Sequence, residues 1–161
     1  MIRLSLIGVR VEVPTNQPIV LLREDDGTRF LPIFIGQPEA TAIVYALQGE
    51  ETPRPMTHDL FKTVLDDLAV KLARVEITAL HDGTFYAEIE LDRDGTRTRI
   101  SSRPSDAIAL AVRFGETPIY ADESVLDEAG VLFEADEEEQ EVEQFREFLD
   151  NITPEDFGSA T

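Results

Sequence analysis

Three Asp-Gly pairs constrain this chain more than any other feature: Asp26-Gly27, Asp82-Gly83 and Asp94-Gly95. Each sits between two apolar or alternating runs. The first joins PIVLLRE to TRFLPIFIG, the second VKLARVEITAL to TFYAEIELD, and the third that strand to TRTRISS. Asp-Gly accepts the positive φ angles of a tight hairpin turn, so three antiparallel hairpins are expected. Val9, Val11 and Val13 alternate with Arg10 and Glu12, which adds an N-terminal strand. Leu4 and Leu6 have the opposite parity, and this places a bulge at Gly8. Pro32 has no amide hydrogen to give to a ladder, so its strand is expected at an edge.

Helical periodicity follows the strands. Residues 38–48 put Ala40, Ile43, Val44 and Leu47 on one face and stop at Gly49. Residues 57–68 carry Leu60, Phe61, Val64, Leu65 and Leu68, and residues 105–114 carry Ala107, Ile108, Ala111 and Val112. A short helix over 122–129 ends at Gly130. Three strands and two helices thus occur twice, without a residue-level repeat. The class expected is α+β: a mainly antiparallel, hairpin-rich sheet with flanking helices, forming one domain over residues 1–133. An acidic tail over 134–161 follows. Val142, Phe145, Leu149 and Ile152 lie near one face of a helix there, which docks on the domain or on a protein partner. Phe145, Phe148 and Phe157 favour docking, because exposed phenyl rings are costly in water.

Composition narrows the function classes. The hydrophobic content of 42% supports a real core. No apolar run approaches a membrane span, so no membrane partner is expected. The opening MIRLSLIGVRVEV has an arginine inside its apolar stretch and reads as a strand rather than a signal peptide. The chain has no cysteine, which removes disulfides, thiolate metal sites and a cysteine nucleophile and suits a cytoplasmic location. The formal charge is −19, with −10 of it in the tail. Such a field repels polyanions at long range and weighs against nucleic acid.

Three segments share one grammar. RPMTHDLF (54–61) reads as a helix start with Thr57 as N-cap and Asp59 in the first turn. SSRPSD (101–106) repeats it with Ser105 as cap and Asp106 in the first turn, and IGQPEA (35–40) places Glu39 likewise. A helix N-terminus keeps each carboxyl charged, which suits a metal ligand or orienting group better than a general base. Glu39, Asp59 and Asp106 are candidates to hold a divalent cation together. His58 is a candidate proton carrier near neutral pH. Arg97 and Arg99 face Glu88, Glu90 and Asp92 across a hairpin and are expected to pair with them. Arg103, outside that hairpin, is the better phosphate ligand. His81 beside its turn is expected to be merely exposed. GxxxxGK, GxGxxG, HExxH and GxSxG are all absent.

Taken in order, LPIFIGQPEA, RPMTHDLF, DGTFYAEI, SSRPSDAIALAVR and PIYADESVLDEAG resemble the bifunctional nuclease domain family, a bacterial domain with plant relatives. The resemblance covers roughly residues 3–133. It implies a compact α+β domain that forms homo-oligomers, and DNase and RNase activity. The residues on its motifs are Glu39, Arg54, Thr57, His58, Asp59, Arg103, Ser105 and Asp106. As a nuclease, the chain would hold phosphate with Arg54 and Arg103, assisted by Thr57 and Ser105, and move a proton with His58. Glu39, Asp59 and Asp106 would bind Mg²⁺ or Mn²⁺ and activate water. The alternative is a non-catalytic oligomeric scaffold or ligand-sensing domain that recruits a partner through its acidic tail.

Overall fold

The structure, a computed structural model, describes residues 1–153. Glu155, Asp156 and Phe157 lie outside the described residues. Eight strands and five helices are present among the described residues: β1 (Ile2–Glu12), β2 (Gln17–Glu24), β3 (Arg29–Phe34), α1 (Gln37–Gln48), α2 (Thr57–Asp67), β4 (Lys71–His81), β5 (Thr84–Arg93), β6 (Thr96–Ser102), α3 (Pro104–Phe114), β7 (Ile119–Ala121), α4 (Glu123–Ala129), β8 (Val131–Leu132) and α5 (Ala135–Asn151). The strands form one sheet in the order β6-β5-β4-β7-β1-β2-β3-β8. Two antiparallel meanders, β1–β3 and β4–β6, are joined through β7, which pairs antiparallel with β1 and parallel with β4. The fold is α+β with a mostly antiparallel sheet.

The second and third hairpins turn as the Asp-Gly pairs require. Asp82 and Gly83 have φ of 49° and 77°, Asp94 and Gly95 of 51° and 84°. Asp26-Gly27 does not follow this rule: neither residue has positive φ, and the connection is a four-residue loop over 25–28. The β1–β2 register shifts between Leu6 and Gly8. Pro32 pairs with Leu21, while β8 reaches only Arg29 and Phe30, so the proline's other side is free as an edge requires.

Alternation along the strands decides what each face carries. Val20, Leu22, Leu31, Ile33, Val75, Ile77, Ala87 and Ile89 point into the main core with α1, α3 and α4. Ile19, Leu21 and Phe30 point the other way, where Phe145 of α5 packs on them and is 1% exposed. Arg10 pairs with Glu141 at 3.0 Å, and Arg23 with Glu138 at 2.8 Å, clamping the acidic helix to the sheet. Gln48 holds its far end, donating to the carbonyls of Leu149 and Ile152. A Cβ at Gly8 would lie 3.0 Å from Leu149 Cδ1 and 3.2 Å from the Phe145 carbonyl, so the glycine lets α5 approach. The helix of the tail is therefore part of the packed unit.

Two further expectations change. Thr57 is the first helical residue of α2 and Met56 its N-cap; Ser105 is the second of α3 and Arg103 its N-cap. Pro104 explains the second shift, since its fixed φ suits the first helical position. Of the five apolar residues over 57–68, four on α2 and Leu68 at its C-cap, only Leu65 is buried. Among the described residues, no helix is long and apolar enough to cross a membrane.

Candidate active site

The helix layer brings the three helix starts together. In α3, Ala107, Ile108, Ala109, Leu110 and Ala111 are all buried, and α1 presents Ala40, Ala42, Ile43 and Val44. Alanines at such a contact let two helix axes approach closely. α2 packs against the other flank of α3. None of the N-caps Gly36, Met56 and Arg103 makes a side-chain cap hydrogen bond, so those first-turn amides are left to other partners.

A continuous polar chain crosses the three starts. Arg103 Nη2 lies 2.9 Å from Glu39 Oε1, and its Nε donates to Asp106 Oδ2 at 2.8 Å. The other oxygen of Asp106 lies 2.9 Å from His58 Nε2. One guanidinium thus holds carboxylates from α1 and α3, and Asp106 links it to the imidazole on α2. The His58 side chain is 15% exposed and that of Arg103 is 64% exposed. With Nε2–H donated to Asp106, Nδ1 is the ring's acceptor, and it has no partner among the described residues.

Burial opposes the charge on Asp106, but the hydrogen bonds from Arg103 and His58 outweigh it and hold the carboxyl below its ordinary range. Asp59 behaves similarly. Desolvation raises its pKa, and Arg113 and the Met56 amide more than reverse this. Asp106 and Glu39 in turn push the Arg103 pKa up.

Glu39, His58, Arg103 and Asp106 therefore meet. Asp59 does not join them: its Oδ1 accepts from Arg113 Nε at 2.7 Å, and its Oδ2 accepts the Met56 amide at 3.0 Å. Arg54 is exposed in the loop before α2 and has no ion pair among the described residues. Thr57 is exposed beside His58, and Ser105 is buried. Arg113 was not among the sequence candidates. It lies seven residues after Asp106, two turns along the same face of α3, so helical spacing from a candidate carboxylate was the available signal. Arg97 and Arg99 are paired with Glu90, Asp92, Glu88 and Glu76, and His81 is exposed against Tyr86.

The donor set, as folded, does not fit a resident divalent cation. Arg103 occupies oxygens of Glu39 and Asp106, Arg113 occupies Asp59, and no group of three His, Asp or Glu side chains among the described residues is arranged to hold a metal. What the cluster offers instead is an oriented imidazole beside an exposed guanidinium.

Two uncharacterized proteins of Mycobacterium tuberculosis, from two strains, are each 50% identical to this chain over 160 residues, covering 94% of it and 95% of their own length. The family model of the bifunctional nuclease domain matches residues 20–134, which run from β2 to the residue before α5 and contain every member of the cluster. The chain belongs to the bifunctional nuclease domain family.

Proposed function

We propose that this protein is a nuclease that cleaves phosphodiester bonds of DNA or RNA at the Glu39–Arg103–Asp106–His58 cluster. The observation carrying this reading is the hydrogen-bonded chain from Asp106 through His58 to an unpartnered Nδ1, beside a guanidinium with unused donors. In this reading Nδ1 of His58 takes the proton from the attacking hydroxyl or water as the new P–O bond forms, while the P–O bond to the leaving sugar oxygen breaks and that oxygen takes a proton from water. Asp106 fixes the tautomer and steadies the imidazolium. Arg103 presents its remaining N–H groups to a non-bridging phosphate oxygen, with Glu39 holding its plane. Arg54 and Thr57, exposed at the mouth of α2, supply further contacts to the phosphate. Mg²⁺ or Mn²⁺ is not needed for these steps. Cytoplasmic nucleic acid is the corresponding substrate pool.

The test is cleavage of labelled single- and double-stranded DNA and RNA by the wild type, His58→Ala and Asp106→Ala, with Mg²⁺, Mn²⁺ or EDTA. Turnover by the wild type should persist in EDTA and fall by about 10²-fold or more in folded His58→Ala. Equal cleavage by all three proteins would remove the cluster from catalysis. No cleavage by any would favour the scaffold or ligand-sensing alternative.

A further inference from the structure

α2 has little apolar hold on the domain. Leu65 is its one buried residue, and Leu60, Phe61 and Val64 are exposed. Lys62 sits over the Phe114 ring, 5.0 Å from its centroid. Burial therefore fixes the rotation of α2 about its own axis only weakly. Its first turn, which carries His58, is held to α3 by two polar contacts. His58 Nε2 lies 2.9 Å from Asp106 Oδ1, and Arg113 Nε donates to Asp59 Oδ1 at 2.7 Å.

The second contact is held on both of its sides. The Arg113 side chain is 6% exposed, so little water competes for its partner. Its Nη1 donates to the Ala109 carbonyl at 2.8 Å, one turn back on its own helix, which fixes the guanidinium against α3. The other oxygen of Asp59 accepts the Met56 amide at 3.0 Å and ties the carboxylate to the N-cap of α2. Successive helical residues lie about 100° apart around the axis, so His58 and Asp59 leave α2 in different directions. Asp106 and Arg113 are seven residues apart on one face of α3, about 10 Å along it. One contact would leave the start of α2 free to roll. Two contacts, made in different directions, set its angle.

We propose that Asp59 and Arg113 are positioning residues: their pair sets the roll of α2 that keeps the His58 imidazole hydrogen-bonded to Asp106. Asp59 then serves the site without touching the phosphate. The consequence for cleavage rests on the proposed role of His58; the consequence for the orientation of the ring does not.

Nitrogen-15 NMR of the histidine rings tests it. The chain has two histidines, and His81, beside Tyr86, serves as the reference. Spectra are taken at about pH 8.5, two units above the ordinary histidine value, to read the neutral ring. The wild type should show His58 as the single Nε2–H tautomer. Folded Arg113→Met keeps the stem and removes the guanidinium. It should shift both His58 ring nitrogens toward the average of two tautomers and leave His81 unchanged. Arg113→Lys, which restores the charge, should recover part of the wild-type signal. Leu21→Ala, in the core under α5, should lower Tm without moving His58. Should Arg113→Met fail to fold, the shape-preserving Asp59→Asn carries the same expectation. In the cleavage assay, Arg113→Met should lower kcat about 10-fold or more and change KM by less than about 2-fold. His58 signals unchanged in both pair variants, or displaced as much by Leu21→Ala, would make the pair a general stabiliser and overturn the proposal. A mixed tautomer in the wild type would overturn it too. No cleavage by the wild type, with the NMR shifts as expected, would remove the nuclease reading and leave the positioning role standing.

Discussion

Replacing Asp106 with Asn keeps the shape of the side chain and removes one charge at the centre of the cluster. Asp106 accepts from His58 at 2.9 Å and from Arg103 at 2.8 Å. A hydrogen bond to a charged group contributes about 1.5–3 kcal/mol where solvent is limited. The His58 contact, with both side chains less than a third exposed, is of that kind. The Arg103 contact is screened, because that guanidinium is mostly exposed, and contributes about 0–1 kcal/mol. Asn keeps one acceptor oxygen but turns a donor toward either His58 or Arg103. The net loss is about 1–2 kcal/mol, or about 3–6 °C in Tm for a chain of this length. The pH dependence gives the sign. In the folded protein the Asp106 carboxyl lies below its ordinary value of 3.8, so its charge stabilises the fold above that pH. The contribution is lost as pH falls through the folded value. The Tm difference between wild type and Asp106→Asn should therefore be full at pH 7 and shrink steadily below about pH 4. Differential scanning calorimetry of both proteins across that range measures it. A difference that stays constant or grows in acid would refute the ion-pairing account and assign the effect to shape alone.

Phe145→Ala should cost about 3–5 kcal/mol in urea unfolding, because the fully buried ring packs on Ile19, Leu21 and Phe30 and its loss leaves a cavity under α5. A loss below about 1 kcal/mol would mean that α5 is a loosely held appendage. For the nuclease reading, raising salt from about 0.01 to 0.15 M should leave cleavage of a short single-stranded oligonucleotide unchanged or faster, since it screens the acidic surroundings while direct phosphate contacts at Arg103 persist. A steep fall in rate with salt would instead indicate a footprint of many phosphates.

The hairpins at Asp82-Gly83 and Asp94-Gly95 were legible because their chemistry is local: two residues supply the φ angles the turn needs. Asp26-Gly27 shows the limit of that rule, since the same dipeptide sits in a longer loop that needs no positive φ. β7 was not legible. Three residues, Ile119–Ala121, carry no period of their own, and their strand character comes from the gap between β1 and β4 that they fill. The helix of α2 was legible but the exposure of its apolar stripe was not, because periodicity reports that a face is apolar and not what covers it. The candidate cluster was half legible. Helix-start grammar found the four residues that meet. It also grouped Asp59 with them, because first-turn acids look alike in sequence, while Arg113, which draws Asp59 away, lies 54 positions along the chain.

Net charge is the wrong scale for judging what this molecule can approach. The −19 total weighed against nucleic acid, yet the acids are segregated. α5 packs on the sheet face opposite α1 and α3, tied down by Arg10 and Arg23. It reaches α1 at Gln48, nine residues and about 13 Å of helix from Glu39. The sheet itself lies between α5 and the three helix starts. At physiological salt, charges farther apart than about 8 Å are largely screened from one another. A group arriving at Arg103 therefore meets the local balance of Glu39, Asp106, His58 and the uncommitted Arg54 rather than the tail.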